Sequence, residues 1–494
     1  MQWFNSFADA VVSLSAHVHE FLWGTWFLVL LLGTHLFFTF RTGFIQKKIF
    51  LGIKLSIQKD SQGAGDVSPF GALTTALAAT VGTANIVGVA TAINLGGPGA
   101  VLWMWLTGVF GIATKYAESL VAIKYRVKTS DGTMLGGAMY ALERLSISLS
   151  INDKDKLSGS LKRPIKHKIS LKFLGVLFAF FGAIAAFGIG NGVQANAVAT
   201  NLESTFSIVP WLSGLIIAIL TGLVIIGGVK NISKVCVKFV PTMAIVYCLS
   251  CFVILAMNIH YIFPAIKLIV ESAFTPSAAG GGFVGASVIM AMRFGIARGL
   301  FSNESGMGSA AIIAAAAKSR NPFRQALISS TGTFWDTVVI CAITGLTLVA
   351  SIVAHPTLIG DPQNVDGGLL TNIIFSQIPY IGPICLTFGL LTFAFSTILG
   401  WSYYGEKCAE FLFGKKITLP YRIAFVIVVF IGATIPLDLA WEMADSLNAL
   451  MVMPNLVAIL LLSNLISKET KYYLKGNHID EFDTEPIPLY EEKR

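Results

Sequence analysis

The sequence predicts an all-α integral membrane protein with eleven transmembrane helices, arranged as one extra N-terminal helix followed by a 5+5 inverted repeat. Three observations lead to this prediction. Only 13% of the 494 residues are charged, against about 25% in soluble globular proteins. Eleven segments have the length of about 20 apolar residues that a bilayer crossing needs. Two of these segments, five spans apart, are interrupted in their middle by glycine and polar residues.

The eleven spans follow one another along most of the chain. We place them at residues 21–41, 70–95, 98–124, 172–203, 209–229, 236–258, 283–317, 325–353, 377–413, 418–436 and 441–466. Several exceed the length of one crossing, which predicts tilted or broken helices. The predicted parts of the chain are the extracytoplasmic N-terminus with the first span and a cytoplasmic loop (1–69), a first five-helix repeat (70–258), a second five-helix repeat (259–466) and a cytoplasmic tail (467–494).

Lysine and arginine are concentrated in every second connection. A cluster of basic residues, from Arg41 to Lys59, follows the first span, and similar clusters follow the third, fifth, seventh, ninth and eleventh spans. In the other connections Lys267 is the one clear basic residue. The positive-inside rule therefore places the N-terminus outside and the C-terminus in the cytoplasm. Because the net charge of +8 is spread over these connections, we expect contact with membrane lipid and none with nucleic acid. The polar tail is expected to be partly disordered.

Glycine and polar residues interrupt the second and the seventh span at membrane depth. The second span contains LAATVGTANIVGV at 77–89, and the seventh contains RGLFSNESGMGSAAI at 298–312. Such residues cost free energy inside a bilayer unless neighbouring groups satisfy them. An unwound segment frees carbonyl oxygens for a cation and presents helix N-termini to a carboxylate. The two interrupted spans together therefore predict the site of a secondary transporter. Each glycine alone is also typical of close helix packing.

Other classes of function agree less well with the sequence. A channel would spread polar residues along several spans, whereas here they are concentrated at two breaks. An intramembrane enzyme needs paired catalytic groups, and His35 stands alone at membrane depth, so we expect no enzyme. A proton-coupled amino-acid symporter, with Glu304 or Glu118 as the proton carrier, is the main alternative, although we favour a structural role for Glu304. Glu118 and Asp336 have no clear partner in the sequence.

Five motifs resemble the family of alanine or glycine:cation symporters. They are GGPGAVLWMWLTGVFG at 96–111, GTANIVGVATAI at 82–93, RGLFSNESGMGSAA at 298–311, GIGNGVQANAVA at 188–199 and STILGWSYYGEK at 396–407. The resemblance extends over residues 20–465 and implies a fold similar to that of the neurotransmitter:sodium symporters. It also implies import of alanine or glycine with co-transported sodium, by alternating access, across the bacterial inner membrane. The choice between alanine and glycine, the D or L preference, the cation stoichiometry and the oligomeric state are left open.

The same resemblance implies the residues of the site. The substrate-binding positions are Thr83, Ala84, Asn85, Gln194, Phe301, Gly306, Met307 and Trp401, and the sodium ligands are Ala78, Val81, Phe393, Ser396 and Thr397. Thr80 and Asn85 match a second cation site, whose occupancy is left open.

Several of these assignments have ordinary alternatives. The adjacent hydroxyls of Ser396 and Thr397 are also typical of bonds back to their own helix, and Gln194 is also typical of an interhelical contact. Hard cations prefer oxygen ligands, which favours sodium ligation for the hydroxyls beside a broken helix. Trp401 and Met307 among small residues favour a small pocket and hence a small amino acid.

Overall fold

The structure is a computed structural model that describes residues 17–18, 20–58, 62–151, 171–275, 287–356, 367–435, 438–476 and 478–490. Residues 283–286 of the seventh predicted span, and both ends of the chain, lie outside this description. The described residues are mostly helical. Their one sheet is an antiparallel hairpin of two short strands, β1 (Val127–Lys128) and β2 (Met134–Leu135).

The helices of the described residues are numbered here in chain order. They are α1 (Thr25–Arg41), α2 (Ile49–Ile57), α3 (Pro69–Thr80), α4 (Val87–Gly96), α5 (Ala100–Lys124), α6 (Ala138–Ile151), α7 (Leu171–Phe187), α8 (Val193–Phe206), α9 (Pro210–Ile225), α10 (Gly228–Met257), α11 (Ile262–Phe274), α12 (Val288–Asn303), α13 (Ser309–Ala315), α14 (Pro322–Thr333), α15 (Ala342–Ala354), α16 (Gly367–Phe375), α17 (Ile381–Phe413), α18 (Thr418–Thr434), α19 (Asp438–Leu461) and α20 (Ser463–Lys475). Two π-helical stretches, Gly188–Gly192 and Phe334–Cys341, join α7 to α8 and α14 to α15. Helix α5 packs on α12 and α14, while α17 packs on α3, α7 and α10.

Six helices of the described chain are long and apolar enough to cross a membrane, or seven if the bent pair α19 and α20 forms one span. The broken second and seventh spans fall outside this set because each half is short. Helix α5 has 25 residues but contains the buried charges Lys115 and Glu118, which lower its hydropathy. The described part of each of the eleven predicted segments contains helix, but the number of crossings and the boundaries of the repeats stay predictions.

The outer surface of the bundle is apolar, as a lipid-facing surface must be. On α9 the side chains of Trp211, Leu215, Ile219 and Leu223 recur every four residues and are all exposed. A helix in water would instead turn polar side chains outward. The exposed apolar face therefore agrees with a multi-pass membrane protein.

The interruption predicted in the second span is present. Helix α3 begins at Pro69, where the Ser68 hydroxyl accepts a hydrogen bond from the Gly71 N–H at 3.0 Å. It ends at Thr80, because Val81 and Gly82 are extended. A single 3₁₀ turn follows before α4 starts. A break in the i→i−4 ladder leaves backbone groups without their helical partners at this point.

The interruption predicted in the seventh span is present as well. Helix α12 ends at Asn303, and three of the next five residues have left-handed backbones, namely Glu304 (φ +54°), Gly306 (φ +96°) and Gly308 (φ +78°). Glycine adopts this region without steric cost, whereas Glu304 does not. The glutamate is therefore held there by its contacts, which are described below.

The two broken spans are tied to each other at one end of the bundle. The connection before α3 pairs with the connection after α13, through Asp66 N–H to Ala316 C=O at 2.7 Å and Lys318 N–H to Val67 C=O at 2.8 Å. The β-hairpin, the 316–324 connection and residues 478–490 lie at the same end. We call this end the basic end, because the lysine and arginine clusters of the sequence lie there.

The last described residues are ordered against the basic end. Residues 478–490, named here the strap, follow α20 in an extended path. The Asn321 side-chain N–H group donates to the carbonyls of Ile479 and Glu481 at 2.9 and 2.7 Å, and Lys128 N–H donates to Pro488 C=O at 2.9 Å. The structure therefore differs from the expectation of a partly disordered tail: residues 467–475 belong to α20, and hydrogen bonds to distant connections hold the strap.

We expect Lys124→Ala to loosen the strap. The Lys124 ammonium lies 3.3 Å from each of three carboxylates, those of Glu469, Asp483 and Glu485, and its side chain is only 10% exposed. Limited proteolysis of the purified protein should then cleave residues 478–490 several-fold faster than in the wild type. Lys128→Ala is the matched control, because Lys128 binds the strap through its backbone. Equal cleavage rates for the two variants would contradict this role of Lys124.

Candidate functional site

Four of the five predicted sodium ligands meet where the first break contacts the middle of α17. The Thr397 hydroxyl lies 3.4 Å from the Val81 carbonyl oxygen and 3.0 Å from the Phe393 carbonyl oxygen. The Ser396 hydroxyl lies 2.8 Å from the same Phe393 oxygen. Ala78 is fully buried one turn earlier in α3. The backbone bonds expected as the alternative for these hydroxyls are thus present, yet each hydroxyl oxygen keeps lone pairs for a cation.

The two residues predicted for a second cation site have different partners. The Thr80 hydroxyl donates to carbonyls of its own helix, those of Ala76 and Leu77, at 3.2 and 3.4 Å. The Asn85 amide N–H group instead donates to Asp336 Oδ1 at 2.7 Å and to the Ser302 hydroxyl at 3.0 Å. Their described contacts share no partner, so the geometry does not support this pair as one site.

Gln194 lies beside the first break. Its Oε1 accepts a hydrogen bond from Thr83 N–H at 3.4 Å, and its amide N–H group donates to Ile189 C=O at 3.0 Å. The π-helical turn before α8 includes Gly190, where an added Cβ would lie 2.1 Å from Trp401 Cβ. Glycine at that position therefore lets α17 approach α8. Ala84 lies half-buried in the 3₁₀ turn of the same break.

The remaining substrate-binding predictions lie around the second break. The Gly306 carbonyl accepts a hydrogen bond from the Asn455 side chain at 2.8 Å, and Met307 Sδ accepts one from Asn448 at 3.3 Å. The Trp401 indole N–H donates to Glu304 Oε1 at 3.0 Å. Phe301 is half-buried and packs against the core. The predicted residues thus come from both breaks, α8 and α17, while Phe301 and Ala84 have no described polar contact with the others.

Buried charges around the second break were only partly anticipated. Glu118 has no clear partner in the sequence, but it has two in the folded protein. Its Oε1 accepts hydrogen bonds from Gly308 N–H at 3.1 Å and from the Asn455 side-chain N–H group at 2.6 Å. Asp336 likewise accepts from Asn85, and its other oxygen accepts from the Ser302 hydroxyl at 2.8 Å. These partners lie on other helices and cannot be seen in local sequence.

Lys115 is a buried charged residue beside the second break that is absent from the residues predicted from the sequence. It is 2% exposed in the middle of α5, and its ammonium donates to the Glu304 carbonyl oxygen at 3.1 Å. It also interacts electrostatically with the carboxylates of Glu118, Glu304 and Asp336. A lysine in an apolar span was the available signal, since intramembrane charges are rare and usually paired.

A cavity of about 1360 Å³ opens at the basic end. The start of α10, the end of α17, the start of α18 and residues 65–68 line it. Thr242 is the lining residue furthest along α10, and the next residue, Met243, accepts a hydrogen bond at Sδ from the Ser396 hydroxyl at 3.5 Å. None of the predicted sodium ligands lines the cavity; Met243, next to the lining residue Thr242, is buried and contacts one of them.

The architecture has a counterpart among solved structures. The crystal structure of MhsT in complex with L-phenylalanine aligns with a TM-score of 0.52 and 13% identity, covering 82% of this chain and 98% of that one. This likeness confirms the predicted fold. Two helices interrupted at membrane depth in corresponding parts of a chain are the sequence pattern typical of secondary transporters.

The sequence comparisons give the family. The profile of the sodium:alanine symporter family matches residues 8–484. The sodium/alanine symporter AgcS of Methanococcus maripaludis is 50% identical over 466 residues, which are 94% of this chain and 97% of AgcS. An uncharacterized transporter of Haemophilus influenzae is 46% identical over 480 residues, covering 95% and 98%, and the probable sodium/glutamine symporter GlnT of Bacillus subtilis is 33% identical over 463 residues, covering 92% and 89%. The chain belongs to the sodium:alanine symporter family and is a sodium-coupled amino-acid symporter.

Proposed function

We propose that the chain imports a small neutral amino acid, alanine or glycine, together with sodium. The observation that supports this most directly is the meeting of the Val81 and Phe393 carbonyls with the hydroxyls of Ser396 and Thr397. Neutral oxygens in this combination are the ligands that a hard cation prefers. The name of the relative AgcS supports alanine, while the more distant GlnT is named for glutamine.

Sodium and substrate would use the same unwound backbone. Val81 supplies the cation with its carbonyl, and two residues later Thr83 N–H lies beside the predicted substrate position, where Gln194 now accepts its hydrogen bond. A carboxylate of the substrate would bind such an N–H group more strongly than a neutral amide oxygen does. Each ligand orders the segment for the other, so the coupling free energy is reciprocal. One inward sodium charge gains about 2.3 kcal/mol per 100 mV, which suffices to accumulate a zwitterion.

The direction of import follows from the orientation we propose. The lysine and arginine clusters support a basic end in the cytoplasm and an N-terminus outside. The membrane we propose is the inner membrane of a bacterium. The 1360 Å³ cavity then opens to the cytoplasm, while the predicted sodium ligands Val81, Phe393 and Thr397 stay buried outside its lining.

Uptake into proteoliposomes tests the proposal. Labelled alanine and glycine are offered with an inward sodium gradient, or with a potassium or a proton gradient of equal size. Accumulation with sodium alone is the expected result. Accumulation with protons alone would contradict sodium coupling and favour Glu304 or Glu118 as a carrier. Uptake of neither amino acid under any gradient would contradict the substrate class.

We expect Thr397→Ala to raise the sodium concentration for half-maximal uptake about tenfold, which corresponds to about 1.4 kcal/mol of lost cation binding. The variant removes one oxygen ligand, while Thr397→Ser retains it and should remain close to the wild type. Thr392→Ala is the matched control, because Thr392 is buried in the same helix and donates only to described carbonyls of that helix. An unchanged sodium requirement in Thr397→Ala would remove Thr397 from the site.

A further inference from the structure

We propose that Glu304 is a positioning residue that links the second break to the sodium-binding face of α17 through the indole of Trp401. This inference rests on the proposed function and deepens it, because it names the side chains through which sodium binding would change the conformation of the substrate pocket. The pocket and the sodium ligands lie on different helices, so such a link has to cross between them.

Glu304 connects three elements at once. Its Oε1 accepts the hydrogen bond of Trp401 Nε1 from α17 at 3.0 Å, and its Oε2 accepts that of the Ser309 hydroxyl at the first residue of α13. Its backbone carbonyl accepts from Lys115 on α5 at 3.1 Å. The residue itself has a left-handed backbone (φ +54°), an unfavourable conformation for a residue other than glycine. These contacts therefore hold the second break in the shape that the structure shows.

Trp401 lies on the same face of α17 as the predicted sodium ligands. Phe393, Thr397 and Trp401 follow one another at intervals of four residues, which places them one above the other on a helix. The indole is 1% exposed, and its ring meets the ring of Tyr404 edge-on at 5.7 Å. Gly190 allows the closest approach on the other side. A fully packed indole with one polar partner transmits a shift of α17 to that partner, because close-packed interiors do not deform continuously.

The consequence is a specific path of coupling. Sodium bound by Val81 and Thr397 fixes this face of α17. The indole N–H is then held towards Glu304, and Glu304 keeps the second break, with Met307 and the Gly306 carbonyl, in the conformation that accepts the substrate. Without sodium the face of α17 is free to move, and the break loses one of its holding contacts. The indole N–H and Glu304 are both buried, so separating them would leave a buried donor and a buried acceptor without partners.

The test measures the coupling itself. Binding of labelled alanine to the purified protein is determined with and without saturating sodium, and the coupling is the ratio of the two dissociation constants. Trp401→Phe keeps an aromatic ring but removes the donor, and we expect the ratio to fall about tenfold. Trp103→Phe is the matched control, since the Trp103 indole donates to the Ala273 carbonyl at 3.1 Å, near the start of α5. We expect that control to keep the wild-type ratio.

Variants of Glu304 separate the proposed role from others. Glu304→Leu removes the acceptor and should lower the ratio at least as much as Trp401→Phe, and Glu304→Gln should recover most of the loss because it retains an acceptor oxygen. The effects of Trp401→Phe and Glu304→Leu should not add in the double variant.

Additive effects, or a wild-type ratio in Trp401→Phe, would overturn the link. If the ratio falls as far in Glu304→Gln as in Glu304→Leu, the positioning role is contradicted, and Glu304 instead acts as a carboxylate that carries a proton. If the wild-type protein itself shows no dependence of alanine binding on sodium, it is the proposed function that fails.

Discussion

Gly82→Ala should abolish sodium-driven uptake, with a loss of about 100-fold or more, because a displacement of about 1 Å at a reacting or binding centre has effects of that size. Gly82 has an extended backbone, so the reason is space and not backbone strain. A Cβ there would lie 2.6 Å from the Thr397 hydroxyl oxygen and 3.4 Å from Gln194 Oε1. The first of these distances is too short for any real contact. The methyl group would therefore push the first break away from α17, and the sodium and substrate positions would separate.

Gly88→Ala is the matched control for this prediction. Gly88 belongs to the same motif and lies in α4, but an added Cβ would meet only the Ala84 methyl group, at an ordinary 3.6 Å. We expect uptake close to the wild-type rate. Both variants are compared at equal amounts of protein in the membrane, with initial rates of labelled alanine uptake at saturating sodium. Uptake by Gly82→Ala above half the wild-type rate would contradict the close contact between the first break and α17.

The second large effect is expected on stability, from Lys115→Met. The substitution preserves much of the side-chain volume but removes the buried cation that interacts with the carboxylates of Glu118 and Glu304. It also leaves the buried Glu304 carbonyl without the ammonium donor that lies 3.1 Å away. A buried acceptor that loses its donor costs about 1–3 kcal/mol. We expect a markedly lower thermal unfolding midpoint of the purified protein in detergent.

Lys234→Met provides the comparison for that measurement. Lys234 is exposed at the start of α10, where it lines the cavity at the basic end. The same chemical change at this position should leave the unfolding midpoint within a degree or two of the wild type, since surface substitutions are usually worth less than about 0.5 kcal/mol. A similar midpoint for Lys115→Met and the wild type would mean that Lys115 does not compensate the buried carboxylates.

The sequence indicated the breaks, because glycine and amide side chains at membrane depth are visible in a single segment. Motifs that resemble a family also gave the predicted sodium ligands, and the structure brings four of these five residues together. The partners of the buried charges were not accessible in the same way. Glu118 is joined to Asn455, which is 337 residues away, and Asn85 to Asp336, which is 251 residues away. Only the folded chain brings such residues together.

Two expectations from the sequence differ from what the described residues show. Thr80 was grouped with Asn85, but a threonine hydroxyl inside a helix readily donates to a carbonyl one turn earlier, as Thr80 does. The tail was expected to be partly disordered because its composition is polar and mixed in charge. Composition does not reveal that backbone groups of the strap pair with Lys128 and Asn321.

The strap also sets an order of events during synthesis. Arg324 is synthesised 156 residues before its partner Asp480, and Asn321 is synthesised 160 residues before its partner Glu481. At translation rates of about 5–20 residues per second, these groups wait on the order of ten seconds or more for the chain that will bind them. The connection between the second broken span and α14 therefore gains these partners only after at least 156 further residues have been synthesised. The basic end can thus reach its full set of described hydrogen bonds only after α20 and the strap have been made, and a nascent chain that stops before residue 478 lacks the strap's contacts with Asn321 and Lys128.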